Sequence, residues 1–401
     1  LEGKVTTINH LLNPVTAELA PYPMEELSRI KNRLIKSGIK VYDFGTGDPQ
    51  IPVWMPLVEA MKAQMGQYSS YPSIRGIPQL EEAHLHYLKN RFGIENSENL
   101  LTVPSKGSKE SIFHIALSLI GRAGKRTLIY GDPAYPVYRS SALFAGGIPF
   151  PVILKEEDEY RLEPWKLAKE VQNDAAAIWV NYPHNPTGAT VDKSYWLNLI
   201  DWCHEKNCIL LSDDCYVDIY DSAYDDSKLH LRPETPLMYS TDRVLSFMSL
   251  SKRSGLTGYR AGMIAGDRRI LEPHLKARAN FGVACPTFVQ HGAALAWQDN
   301  EHVAKRRKIF TERVHFASKT LHSLGIEHHT PKATFYLWAK IPAAYKNNDI
   351  KFCLDLADKG VITSPSQWLG EKSYGYFRLA LVPEIHETQE ALSILGNFIG
   401  K

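Results

Sequence analysis

Lys252 sits in the run Ser249-Leu-Ser-Lys-Arg-Ser-Gly-Leu-Thr-Gly-Tyr-Arg-Ala-Gly262, with small residues on both sides and Arg260 eight positions on. A lysine placed after a buried strand and among hydroxyls can keep its amine uncharged part of the time, which imine formation with a carbonyl requires. Ser249, Ser251 and Arg260 are in place to hold a phosphate beside it. A second phosphate-compatible feature is Gly107-Ser108-Lys109, which opens a predicted helix through Leu119 and offers free backbone N–H groups at its start. Read alone, the same tripeptide is also an ordinary helix cap. Arg378, in Tyr376-Phe-Arg-Leu-Ala380, is a single cation in an apolar strand. A buried unpaired charge is costly, and a planar fork suits a carboxylate gripped by two hydrogen bonds.

The elements that must position these residues follow from the hydrophobic pattern. Short aliphatic runs at 127–130, 149–154, 175–180, 208–211, 244–247 and 262–265 read as strands, separated by helical patterns at 107–121, 136–146, 164–172 and 193–206. Runs apolar on both faces and joined by helices imply a mostly parallel sheet covered on both sides. In such sheets ligands bind beyond the carboxyl ends of the strands. Those positions hold Asn181-Tyr-Pro-His-Asn-Pro-Thr-Gly188, Asp213-Asp-Cys-Tyr216 and Ser249-Leu-Ser-Lys252. Pro183 and Pro186 restrict the backbone around Asn185, so its amide is aimed at little entropic cost. Asp213 alone reads as a capping carboxylate, and Tyr216 alone as a core residue.

From residue 286 the pattern changes to long helices at 286–298 and 301–324, strands at 333–340 and 374–380, and a closing helix at 386–399. A helix over 23–37 follows an N-terminal arm of the kind that reaches a partner subunit. The expected division is an arm and helix over 1–45, a large domain over 46–285 and a small α+β domain over 286–401.

Composition excludes several function classes. The 401 residues are 44% apolar and 22% charged with a net charge of +2, the profile of a globular protein without the electrostatic footprint for nucleic acid or an anionic membrane. No apolar run approaches the ~18 residues of a membrane span. Five cysteines without CxxC spacing read as reduced, buried thiols, and the absence of a signal-like start makes the cytoplasm the expected location. His84 with His86, and His328 with His329, lack a third metal ligand, and Gly45-Thr-Gly47 is not continued as a dinucleotide fingerprint.

Position by position, the Lys252 segment resembles the lysine signature of class I aminotransferases, in the pyridoxal-phosphate fold-type I superfamily, and further landmarks follow in order from Gly47 to Arg378. The resemblance implies an α/β fold, with a three-layer α-β-α large domain around a mostly parallel sheet plus a smaller α+β domain. It implies pyridoxal 5'-phosphate on Lys252 and an amino group moved between an amino acid and a 2-oxo acid by a ping-pong route. Asp213 would keep the pyridine nitrogen protonated, making the ring an electron sink. Tyr216 and Asn185 would contact the phenolic oxygen, and Tyr135 would stack on the ring. Gly107, Ser108, Lys109, Ser249, Ser251 and Arg260 would form the phosphate cup. Arg378 would bind the substrate α-carboxylate, with Gly47 leaving room for the backbone to approach it. Tyr71 would cross to the neighbouring subunit's phosphate, which implies a homodimer with shared sites. Tyr182 stands where the family's loop has its first proline, which sets the role of Asn181 in doubt. Ser-Lys-Arg-Ser at 251–254, Leu-Ala-Leu-Val-Pro at 379–383 and the segment 21–27 are similar to the succinyl-diaminopimelate branch. Aspartate, alanine and LL-diaminopimelate aminotransferases, and a carbon–sulfur lyase on the same scaffold, are the alternatives.

Overall fold

A computed structural model describes residues 11–19, 22–49, 51–66, 70–121, 124–225 and 228–400. Most of the expected N-terminal arm, residues 1–10 and 20–21, lies outside them.

The strands, in chain order, are β1 (Tyr42–Asp43), β2 (Leu100–Ser105), β3 (Thr127–Asp132), β4 (Ile148–Ile153), β5 (Ala175–Val180), β6 (Ile209–Asp213), β7 (Val244–Ser249), β8 (Gly262–Asp267), β9 (Tyr336–Lys340), β10 (Val361–Ile362), β11 (Ser364–Pro365) and β12 (Tyr376–Ala380). Seven of them form one sheet in the order β2-β8-β7-β6-β5-β3-β4. β8 alone is reversed relative to the other six strands, so the sheet is mostly parallel as the pattern predicts. The sequence pattern missed β2, where Thr102, Pro104 and Ser105 interrupt the apolar run. Pro104 is tolerated there because β2 is an edge strand, bonded on one side only. The predicted helix over 164–172 divides into a 3₁₀ turn, Pro164–Lys166, and a short helix, Lys169–Asp174. Leu167 is extended between them, and the buried Gln172 amide donates to the carbonyls of Trp165 and Leu167 freed by the break.

A second layer of structure faces the carboxyl ends of the large sheet. The antiparallel sheet β11-β12-β9 sets Arg378 opposite Trp338 and Ala380 opposite Tyr336. Its core, with Phe352, Leu379 and Leu392, is separate from that of the large sheet. The helix Pro23–Lys36 packs Leu27, Ile30 and Leu34 against Ala357 and Ile362 of this part. The helix Thr287–Gln298 falls in the stretch expected to form the smaller domain, yet it packs on Met55–Ala63 and Pro78–Phe92 and shares its buried Trp297 with the large-sheet core. The following helix, Glu301–Ser323, makes its helix contacts with Ile385–Phe398. The corner near residue 300 therefore joins the two parts. Among the described residues no helix is long and apolar enough to cross a membrane.

Candidate active site

A cavity of about 530 Å³ opens between the carboxyl ends of β5, β6 and β7 and the face of the small sheet. Lys252, Asp213, Tyr216, Asn185, Tyr135, Ser108, Lys109, Ser249, Ser251, Arg260, Gly47 and Arg378 all line it. Asp213 is the last residue of its strand, and β7 runs further than the pattern suggested, so that Ser249 ends it.

Lys252 lies in the single helical turn Leu250–Arg253 directly after β7. Ser249 caps that turn, its Oγ accepting the Ser251 N–H at 3.1 Å. The Lys252 ammonium donates to the carbonyl of Gly47. Gly47 has no room for a side chain, since a Cβ would fall 2.2 Å from the Tyr336 hydroxyl.

Asp213 is buried and fixed from three directions. Its Oδ2 accepts from the Tyr138 hydroxyl at 2.7 Å, its Oδ1 from the Cys215 N–H at 3.3 Å, and its carbonyl from the Asn181 amide at 2.6 Å. Burial pushes its pKa up, opposed by the bonds from Cys215 and Tyr138 and by the charge of Lys252. A carboxylate held this way gains from a cationic N–H partner. Tyr138, missed in the sequence, stacks on Trp179 at 4.9 Å, which holds its hydroxyl in place. Its one local signal is its position three residues after Tyr135 at the start of the helix Val137–Phe144.

Asn181 also proves to be an organiser despite the shifted proline. Its Oδ1 accepts the Asn185 N–H at 2.8 Å, so one side chain ties Asp213 to the Asn185 loop. Asn185 Oδ1 in turn accepts from Arg378 at 2.9 Å, and Arg378 also donates to the Gly45 carbonyl at 2.8 Å. The guanidinium lies 4.5 Å from the Tyr336 ring centroid, and its buried Nε has no hydrogen-bond partner among the described residues. Tyr216 shares a 2.8 Å hydrogen bond with the Tyr336 hydroxyl, and burial drives its pKa well above the ordinary phenol value. Tyr336 and Ser364 were not singled out from sequence, because both come from the small sheet and nothing local marks them.

At the other end, Gly107 has φ +78° and a Cβ there would fall 2.3 Å from the Arg260 guanidinium. That leaves the N-terminus of the helix Ser108–Leu119, the Ser108, Ser249 and Ser251 side chains and Arg260 around one space. Glu110 braces the approach: its Oε1 accepts the Lys106 N–H at 3.0 Å and Arg278 at 2.9 Å. Lys109, expected with this cup, instead lays its ammonium 4.0 Å over the Tyr22 ring, a cation–π contact that draws it aside. Tyr71 does not line the cavity; its side chain is fully exposed.

A glycine cradle beside an arginine, three serine hydroxyls, a buried carboxylate and a lysine in one cavity are a donor set for a phosphorylated pyridine aldehyde. The chain belongs to the family "Aminotransferase class I and II", whose sequence model matches residues 33–395. It is 33% identical over 382 residues to the LL-diaminopimelate aminotransferase of Aquifex aeolicus, covering 94% of this chain and 97% of that one. It is 32% identical over 389 residues to LL-diaminopimelate aminotransferase 2 of Trichormus variabilis, covering 94% and 97%. An aminotransferase structure from Neisseria meningitidis superposes with a TM-score of 0.86 at 26% identity, covering 96% of this chain and all of that one. A probable N-succinyldiaminopimelate aminotransferase from Thermus thermophilus gives a TM-score of 0.83 at 24% identity, covering 93% and 99%, a likeness of fold. The protein is a pyridoxal-phosphate-dependent aminotransferase of fold type I, acting on an amino acid and a 2-oxo acid.

Proposed function

We propose that the amino donor is a diaminopimelate, in its free LL form, with 2-oxoglutarate and glutamate as the counter-pair. The observation that carries this reading is similarity along 94% of the chain to aminotransferases of that name. It displaces the succinylated substrate suggested by the short motifs at 251–254 and 379–383. The cavity suits a substrate with two carboxylates, because Lys109 adds a cation that neither Arg378 nor Arg260 provides.

Pyridoxal phosphate, when bound, supplies the electron sink that lets the substrate α-proton leave. Gly107, Ser108, Ser249, Ser251 and Arg260 would hold its phosphate, and Tyr135 would pack on its ring. Asp213, oriented by Tyr138 and the Cys215 N–H, would keep a proton on the ring nitrogen. Asn185 and Tyr216 would face the phenolic oxygen. Arg378, steered by Asn185 Oδ1 and the Gly45 carbonyl, binds the α-carboxylate and so presents the Cα–H bond. Lys252 Nζ would carry the cofactor, and its amine would serve as the base that accepts the Cα proton and the acid that gives it back. Tyr71, exposed on a single chain, completes the site from a second subunit.

Adding LL-diaminopimelate, N-succinyl-LL-diaminopimelate, aspartate and alanine singly to the holoenzyme tests the donor through the cofactor's absorbance. Conversion fastest with free LL-diaminopimelate is expected; faster conversion with another compound refutes the choice. Ammonia and pyruvate from cystathionine without a 2-oxo acid would indicate a lyase. Sedimentation tests the dimer, and a fully active monomer excludes the role of Tyr71.

A further inference from the structure

Lys252 is followed by two residues that turn away from the cavity. Arg253 is 2% exposed, and every guanidinium nitrogen is used. Its Nε donates to Asp218 Oδ2 at 2.8 Å, one terminal nitrogen to the Ala296 carbonyl, and the other to Asn300 Oδ1 at 2.7 Å and the Asp299 carbonyl at 3.1 Å. Asp218, two residues beyond Tyr216, also accepts from Arg91 at 2.9 Å and the Tyr87 hydroxyl at 2.8 Å. Burial alone would raise its pKa, but the charges of Arg91, Arg253 and Arg307 override that and hold it well below the usual carboxylate range.

Ser254 has no exposed surface, and its Oγ lies 2.8 Å from His302 Nε2. His302 Nδ1 lies 2.5 Å from Asp299 Oδ1, and Trp54 stacks on the imidazole at 5.2 Å. Burial lowers the His302 pKa to about 4, so the ring is neutral, with Nδ1–H donating to Asp299 and Nε2 accepting from Ser254. The order Ser–His–Asp is that of a hydrolytic triad. A serine without surface meets no substrate, so here the trio can only brace.

Apart from those to Asp218, these bonds end at residues 296–302, the corner between Thr287–Gln298 and Glu301–Ser323. A helix of one turn does not hold its own shape, and a lysine side chain has a flexible four-carbon stem, so the placement of Nζ depends on what fixes the backbone beneath it. We infer that Arg253 and Ser254 are positioning residues that lock the Lys252 turn to the 296–302 corner and thereby set the reach of its amine. The inference rests on the assignment of Lys252 above.

Single-turnover reaction of the holoenzyme with L-glutamate, protonated or deuterated at Cα, tests it in Ser254→Ala and Arg253→Met. The rate constant per bound cofactor is expected to fall about 10-fold in the first and about 100-fold in the second, because misplacement near 1 Å costs on that order. Saturation with glutamate stays near wild type while the α-deuterium isotope effect rises, a change that a lower folded fraction alone does not produce. In the cofactor-free protein, amide exchange at 251–256 is expected to speed up in both variants. Wild-type rate constants and isotope effects in Ser254→Ala overturn the inference even if Arg253→Met does not fold. A separate Lys252→Ala control distinguishes the two levels. A borohydride-reducible lysine adduct surviving there refutes the assignment of Lys252, and the inference with it.

Discussion

The two walls of the cavity are built on different terms. On the large-sheet wall, Asp213, Ser249 and the Lys252 turn stand at strand ends, and each is fixed within its own motif or from buried neighbours behind it. On the small-sheet wall, Tyr336 and Arg378 stand within strands, and each sends a polar contact across to the other part: Arg378 to Asn185, Tyr336 to Tyr216. The first wall is pre-set for a permanent guest, the cofactor. The second is assembled only when both parts meet, which suits a substrate that enters and leaves.

The contrast predicts different kinds of damage. Lys252→Ala removes the residue proposed as proton carrier and is expected to cost about 10⁴-fold or more in kcat at saturating substrate, read by steady-state turnover. Asp218→Asn leaves Arg253 uncompensated in the interior and is expected to destabilise the protein by about 3–5 kcal/mol, read by denaturant unfolding. Because the folded pKa of Asp218 is depressed, its stabilisation is complete above the unfolded value of about 4 and is lost as pH falls below it. The wild type should therefore lose its advantage over Asp218→Asn in acid.

Arg378→Lys keeps the charge but not the fork, and is expected to raise the amino-acid KM with cofactor affinity unchanged. A loss of about 1.5–3 kcal/mol in kcat/KM is the expected size. Equal loss of cofactor binding would break the division between the walls. Tyr138→Phe is the gentlest change. It removes one hydrogen bond from Asp213, whose pKa burial already raises, so the carboxyl should titrate higher still. A several-fold loss of activity is expected, with the acid limb of the pH profile moved upward, read by the pH dependence of kcat/KM.

The same contrast explains what the sequence made legible. The large-sheet wall is written in contiguous motifs, so Lys252, Asp213, Asn185 and the Gly107 cradle were visible as residue types in order, and the strands before them as apolar runs. Arg378 was visible because a cation is out of place in an apolar strand. Tyr336 was not, since an aromatic in a strand is ordinary until Gly47 is brought against it. Tyr138 was hidden for the same reason, its partner lying 75 positions away. Edge strand β2 is obscured by its proline, and the contact of Lys109 with Tyr22 could not be read locally, because Tyr22 comes from the entry to another helix. For Tyr336, Tyr138 and Lys109 a contact distant in sequence decided the outcome, and no local pattern records such a contact.

The central claim is that Lys252 carries the cofactor. Borohydride reduction of the holoenzyme, followed by digestion and mass mapping, tests it directly. One pyridoxyl-modified peptide is expected, containing Lys252 and no other modified lysine. A label on a different lysine, or no stable label in protein that binds the cofactor, would contradict it.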